Sequence, residues 1–147
     1  MNCIVEKIDV KGLETFKELL KVFEDVFEMS NFKIPGDDHL MSLLSRDNFF
    51  SFAAMVDKAV VGGLTGYILH PYYSEKKLAY IFDLAVKREL QRKGIGSLLL
   101  QNTRQFCKEL GCEEVFVQAD QQDDHAVKFY LENGGVQENV YHFTYAL

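Results

Sequence analysis

Residues 78–96 constrain the fold of this chain more than any other stretch. Positions 78–86 read LAYIFDLAV, almost entirely apolar, with Asp83 as the single charge. A run of that kind predicts a central strand covered on both faces. Soon after it come Gln91, Arg92, Lys93, Gly94, Ile95 and Gly96, then a helical pattern over about 96–109 that opens with Ser97 and Leu98. Glycine lets the backbone turn sharply and approach a ligand closely, because no Cβ intervenes. The first amides of a helix have no partner within it, and the aligned peptide dipoles favour an anion there. Arg88, Arg92 and Lys93 add positive charge at the same rim. Strand, glycine turn, basic rim and helix together predict a diphosphate-binding loop. The glycine pair taken alone reads equally well as an ordinary tight turn. GxxxxGK[ST] is absent, and no third glycine follows Gly94 and Gly96 at the GxGxxG spacing, so neither a P-loop nor a dinucleotide fingerprint fits.

The rest of the chain fits around that unit. Residues 3–9 alternate as a short strand, and 14–29 place Phe16, Leu19, Leu20, Phe23, Val26 and Phe27 on one helical stripe. After a polar turn with Pro35 and Gly36, Asp38 can cap a short helix. Residues 49–56 and 59–70 read as a hairpin turning at Asp57-Lys58. Gly62, Gly63 and Gly66 inside it signal a bulge or a group packed close to the backbone. A strand over 113–119, a helix over 124–132 and a final hairpin over 136–145 complete the order β-α-α-β-β-β-α-β-α-β-β. The fold class is mixed α/β. At 147 residues the chain is expected to be a single domain spanning 1–147.

Charge narrows the function classes. The chain carries 16 Lys+Arg against 22 Asp+Glu, a net charge of -6. No positive field covers the molecule, which argues against a nucleic-acid partner. Yet residues 87–93, KRELQRK, form a local island of +3, whereas Lys128 is the one base against eight acids from Glu109 to the end. Solvated surface charge explains such a pattern by default; two different ligand ends explain it functionally. No segment approaches the roughly 20 apolar residues of a membrane span. Cys3, Cys107 and Cys112 form no metal-spaced pair, and the four histidines form no HExxH, so no metal is expected. An odd number of cysteines and an N-terminus without signal-peptide order predict a reduced, cytoplasmic protein.

Residues 91–96 resemble the Q/R-x-x-G-x-G/A signature of the GCN5-related N-acetyltransferases (the GNAT superfamily), and the element order is similar throughout. The resemblance implies a mostly antiparallel central sheet flanked by helices, with the strand at 78–86 splaying from that at 113–119. It implies acetyl-CoA as cosubstrate, its pyrophosphate on the loop from Arg88 and Gln91 to Ser97. Its pantetheine arm would lie against Leu84, Ala85 and Val86. YIFDLAV, VQADQQDDHAVKFYLENG and VYHF look more narrowly like the small aminoglycoside 3-N-acetyltransferases of type I, with Phe82 and His125 as departures. That likeness implies a small cationic amine as acceptor and makes a homodimer plausible.

The acids allow a bottom-up reading beside the resemblance. An ammonium must lose a proton before it attacks a thioester, and a carboxylate in reach can take it. Asp83, desolvated in its strand, is the candidate base; it could also simply accept hydrogen bonds at the strand's open end. Asp120, Asp123 and Asp124, with Asp37 and Asp38, could form an anionic lip for a polycation. Helix capping by Asp38, Asp123 or Asp124 is the structural alternative. Tyr130 reads as core packing from the sequence, and as the proton donor to the leaving thiolate by resemblance. A covalent acyl-cysteine route is disfavoured, because no cysteine has a histidine neighbour in sequence. Other acceptors (a polyamine, another small amine, a peptide amine) and a non-catalytic acetyl-CoA-binding module are the alternatives.

Overall fold

The computed structural model describes residues 1–147. The elements are β1 (Cys3–Lys7), α1 (Leu13–Val26), α2 (Asp37–Leu44), β2 (Phe49–Val56), β3 (Ala59–Leu69), β4 (Lys77–Val86), α3 (Ile95–Glu109), β5 (Cys112–Val117) and α4 (Asp124–Glu132). Met1–Val117 and Gln118–Leu147 form two compact units.

In the first unit the strands lie in the order β1-β2-β3-β4-β5. Three pairings are antiparallel, and β4 with β5 is parallel, joined through α3. This is the mixed, mostly antiparallel sheet expected. Its two faces carry separate cores. One holds Phe16, Leu19, Val22 and Phe23 of α1 and Leu40 and Leu44 of α2. The other holds Ile95, Leu99 and Cys107 of α3. Strand β2 shows how the sequence feeds both. Phe49 and Ala53 join the α1 side, Phe50, Phe52 and Ala54 the α3 side, as period-two geometry requires. Each fully buried Phe or Leu contributes about 1.5–3 kcal/mol.

Local details follow from particular residues. Asp57 and Lys58 both take positive φ, 51° and 68°, the twist a two-residue hairpin needs. Gly63 leaves room that Leu19 of α1 fills, and Gly66 leaves room for the Phe50 ring. The glycine signal thus marked close packing, and register shifts at Ala54/Met55 and Thr65/Gly66 supply bulges as well.

Three expectations are corrected. α1 ends at Val26 rather than 29, and there the Arg88 guanidinium bonds the carbonyls of Asp25 and Val26 at 2.9 and 3.1 Å. α2 is capped by Gly36 and not by Asp38, which lies in its first turn beside Asp37. The hairpin over 136–145 is not formed: residues 135–147 contain no strand.

The second unit, taken by itself, holds α4 and the C-terminal segment. Asp123 caps α4, its carboxylate accepting from the Ala126 amide at 3.1 Å. Gly134, at φ 88°, and Gly135 close the helix by donating to the carbonyls of Leu131 and Tyr130. Beyond them Tyr141, Phe143 and Tyr145 are 91%, 78% and 85% exposed. Alternation alone does not make a strand: each strand needs a hydrogen-bonded partner, and residues 135–147 join no ladder.

Candidate active site

The bulge in β4 makes the first half of the site. Ile81 pairs with Gly66 and Asp83 with Thr65, so Phe82 is an extra residue in the ladder. An inserted residue switches which positions face which side. Ala79, before it, belongs to the α3-side core, whereas Ala85, after it, belongs to the α1 side. Asp83 precedes Ala85 by two in a regular stretch and so shares its face. Phe82 is on that face too, its ring 5.9 Å from that of Tyr67, which packs against the α1-side core. The carboxylate of Asp83 is half-buried, and no hydrogen bond or ion pair engages it. Burial pushes its pKa above the ordinary carboxylate value.

The second half is a gap. Pairing between β4 and β5 ends at Ile81 opposite Val117, yet β4 continues to Val86. Leu84, Ala85 and Val86 are laddered only to Leu64, Gly63 and Gly62 of β3. Main-chain groups on their other side have no strand partner, so an extended ligand can meet them. These are the splayed strands.

The loop follows directly. Gly94 precedes α3 at φ 85°, a left-handed conformation that side chains resist, and a Cβ there would meet nothing within 4 Å. Arg92, at φ 62°, is left-handed as well. The first helical bond is from the Leu98 amide to the Gly94 carbonyl at 3.0 Å, which leaves the amides of Ile95, Gly96 and Ser97 free of helical partners. Arg92, Lys93 and Gly94 are exposed, Ile95 is buried in the α3-side core, and Gly96 and Ser97 lie between. Gln91 donates its side-chain amide to the Val86 carbonyl at 2.9 Å, fastening the loop to the end of β4. Arg88 turns elsewhere. Besides its bonds to the end of α1, it pairs with Asp25 at 3.5 Å and Glu28 at 3.6 Å.

Most of the other carboxylates also have occupations. Asp37 pairs with Lys17 at 2.7 Å, and the hydrogen bond raises the pKa of that lysine. Both line a cleft of about 460 Å³ with Glu14, Glu18, Ile34 and Pro35. Asp120 accepts from the Gln122 amide at 3.3 Å, and Asp123 is the helix cap. Asp38 and Asp124 each occupy the first turn of a helix, where negative charge suits the dipole. Tyr130 lies on α4, half-buried, its ring 5.1 Å from that of Phe129. His125 is exposed.

Residues 14–134 match the family model described as Acetyltransferase (GNAT) family. The chain belongs to this family. Among solved GNAT structures, it is similar to the aminoglycoside acetyltransferase meta-AAC0020 from an uncultured soil metagenomic sample, in complex with sisomicin. Identity is 49%, covering 99% of this chain and 96% of that one, with a TM-score of 0.97. A second aminoglycoside acetyltransferase, HMB0005, also from an uncultured soil metagenomic sample, is 30% identical over 100% and 99% of the two chains, with a TM-score of 0.95. A curated relative, N-alpha-acetyltransferase 60 of Xenopus tropicalis, is 25% identical over 128 residues, 76% of this chain. The chain spans about half of that relative, 53% of its length.

Within this GNAT chain the sequence reading missed Lys17. Its spacing three residues from Glu14, on the polar side of an amphipathic helix, was the available signal. The cysteines carry no activated thiol: burial first, then Cys112, pushes Cys107 up to about 12, and burial also raises Cys3 and Cys112. No group of His, Cys, Asp or Glu could hold a metal ion, and no helix is long and apolar enough to cross a membrane.

Proposed function

We propose that this protein transfers the acetyl group of acetyl-CoA to a primary amine of an aminoglycoside, the 3-amino group, by direct attack in a ternary complex. The observation that carries the reading is its 49% identity, over nearly the whole of both chains, to an aminoglycoside acetyltransferase in complex with sisomicin. The half-buried, unpartnered Asp83 beside an open strand edge supports it.

The diphosphate of acetyl-CoA meets the free amides of Ile95, Gly96 and Ser97, with Arg92 and Lys93 screening its charge. Gln91 acts from beneath, by holding the loop. The pantetheine arm runs along Leu84, Ala85 and Val86, and a backbone amide there polarises the thioester carbonyl. Asp83 draws in the acceptor ammonium and takes one proton from it, directly or through water. The freed amine nitrogen bonds to the thioester carbon and gives up its second proton to solvent, and the C–S bond then breaks. Tyr130 gives its proton to the departing thiolate and recovers one from solvent. A thiol pKa near about 8.5 makes sulfur a fair leaving group, so this last step assists more than it enables. Asp37, Asp38, Asp120, Asp123 and Asp124 add negative potential that favours a polycation.

Residues 1–147 act as one acetyltransferase domain, since the family match runs across both compact units. The exposed aromatics of the C-terminal segment are the surface for a second copy of the chain. Three free cysteines suit a cytoplasmic setting. A peptide amine is the second acceptor reading, favoured by the similarity to N-alpha-acetyltransferase 60.

The test is a steady-state panel with acetyl-CoA, the products identified by mass spectrometry. It spans aminoglycosides with and without a 3-amine, polyamines and peptides. Acetylation confined to a 3-amine is expected. Turnover on peptides alone would replace this reading with the second one, and folded protein inert towards every amine would end both.

A further inference from the structure

The β4 bulge places an aromatic ring and a carboxylate side by side on one face. Phe82 is 55% exposed, at the bulge where β4 loses its β5 neighbour just past Ile81. Core packing does not account for a large ring left in water at that position. The ring is not loose either. It stands 5.9 Å from Tyr67 at 84° and 5.9 Å from Tyr80 at 77°, both edge-to-face contacts. Tyr80 in turn stacks on Phe116 at 4.8 Å and 9°, and Tyr67 packs on Phe49 at 5.4 Å. A row of rings thus crosses β2 to β5, anchored at the 7% exposed Phe49 and open at Phe82. The next residue is Asp83, unpartnered and on the same face.

We propose that Phe82, braced by Tyr67 and Tyr80, is the stacking residue for the acceptor and helps set its specificity. The proposal rests on the acceptor reading above. An amino-sugar ring has an apolar C–H face and carries ammonium groups on its rim. The phenyl face takes the first, and its quadrupole attracts the adjoining cationic charge. Asp83 takes the ammonium that will react. The two side chains together fix both the position and the tilt of the acceptor ring, which an isolated carboxylate does not do. Bracing keeps the phenyl ring in place before the acceptor arrives, so little freedom is lost on binding.

Two variants separate stacking from bulk. Phe82→Leu keeps an apolar side chain and removes the aromatic face; Phe82→Tyr keeps the face. The expected result for leucine is an acceptor KM raised about 5–10-fold, consistent with loss of a partly desolvated cation–π contact. kcat and the KM for acetyl-CoA stay within about twofold, and thermal melts verify folding. Tyrosine should match the parent. A leucine variant with parental acceptor KM, or one whose acetyl-CoA KM rises equally, overturns the proposal. Calorimetric binding of an aminoglycoside bearing a 3-amine to the CoA-loaded protein keeps this question apart from the reaction. If the parent acetylates no amine, the function proposed above fails. Even then, binding weakened by leucine and kept by tyrosine supports the stacking role, and equal binding by all three proteins removes it.

Discussion

The loop at 91–97 and the six acids named for the acceptor are built on different principles. The loop proposed for acetyl-CoA offers main-chain groups. Gly94 is left-handed, α3 begins immediately after it, and the amides of Ile95, Gly96 and Ser97 have no helical partner. No side chain must choose a conformation for that arrangement to exist. The acids proposed for the acceptor offer side chains, and side chains have competing uses. Asp37 holds Lys17, Asp120 holds a turn, Asp123 caps α4, and Asp38 and Asp124 sit in first turns. Asp83 alone is half-buried without a partner. Main-chain function is therefore hard to divert, whereas a run of acids does not reveal which member is available for chemistry.

The largest test of that contrast is Asp83→Asn. If Asp83 is the free carboxylate that accepts the proton, kcat/KM should fall about 100–1,000-fold while the KM for acetyl-CoA stays put. The same change should stabilise the protein at neutral pH. Burial raises the pKa of Asp83, so the folded state binds its proton more tightly than the unfolded chain does. Ionisation then costs stability above the folded pKa, and the cost fades as pH falls through that value towards the ordinary one. Asparagine removes it. A higher Tm at neutral pH, with the gain shrinking in acid, is expected. A Tm difference of opposite sign would mean the carboxylate is held by a partner after all.

Tyr130→Phe comes next. Loss of the hydroxyl should slow kcat about tenfold without abolishing turnover, since the thiolate leaves unaided at a reduced rate. An acetyl-oxygen ester in place of the thioester is the sharper readout. Its alkoxide leaves poorly, so the variant should suffer far more with that donor. An equal loss with both donors would return Tyr130 to simple packing against Phe129.

Legibility divided along the same line as function. Gly94 and Gly96 after an apolar strand were enough to place a glycine turn leading into a helix, because a left-handed turn before a helix has few sequence solutions. The helices over α1 to α4 and the β2–β3 hairpin were legible for the same reason: local pattern and local geometry agree. Arg88 was not. It reads as part of the basic rim, but its partners lie more than 60 residues earlier at the end of α1. The tail was misread in the opposite direction. Tyr141, Phe143 and Tyr145 alternate as a strand does, yet alternation supplies no partner, and pairing is a tertiary property. The β4 bulge was hidden too, although it decides that Phe82 and Asp83 share a face.

Gly94→Val tests the main-chain half. A β-branched residue resists φ 85° by about 1–2 kcal/mol, and relaxing it re-aims the amides that follow. The KM for acetyl-CoA should rise about tenfold, and the acceptor KM should hold. Because a Cβ at this position meets open space, steric crowding cannot explain such a loss.

The smallest effect separates two arginines of one basic run. Arg92 is exposed beside the loop without an ion pair, so Arg92→Ala should raise the KM for acetyl-CoA about two- to threefold, more at low salt than at high. Arg88→Ala should leave that KM unchanged. Its guanidinium satisfies two carbonyls where α1 ends and meets Asp25 and Glu28, both exposed. Losing those contacts should cost about 0.5–1 kcal/mol in denaturant unfolding, the range for a cation at a helix C-terminus. Were Arg88→Ala to weaken acetyl-CoA as much as Arg92→Ala does, the run would act as one electrostatic patch. The division between a strut and a ligand rim would then be lost.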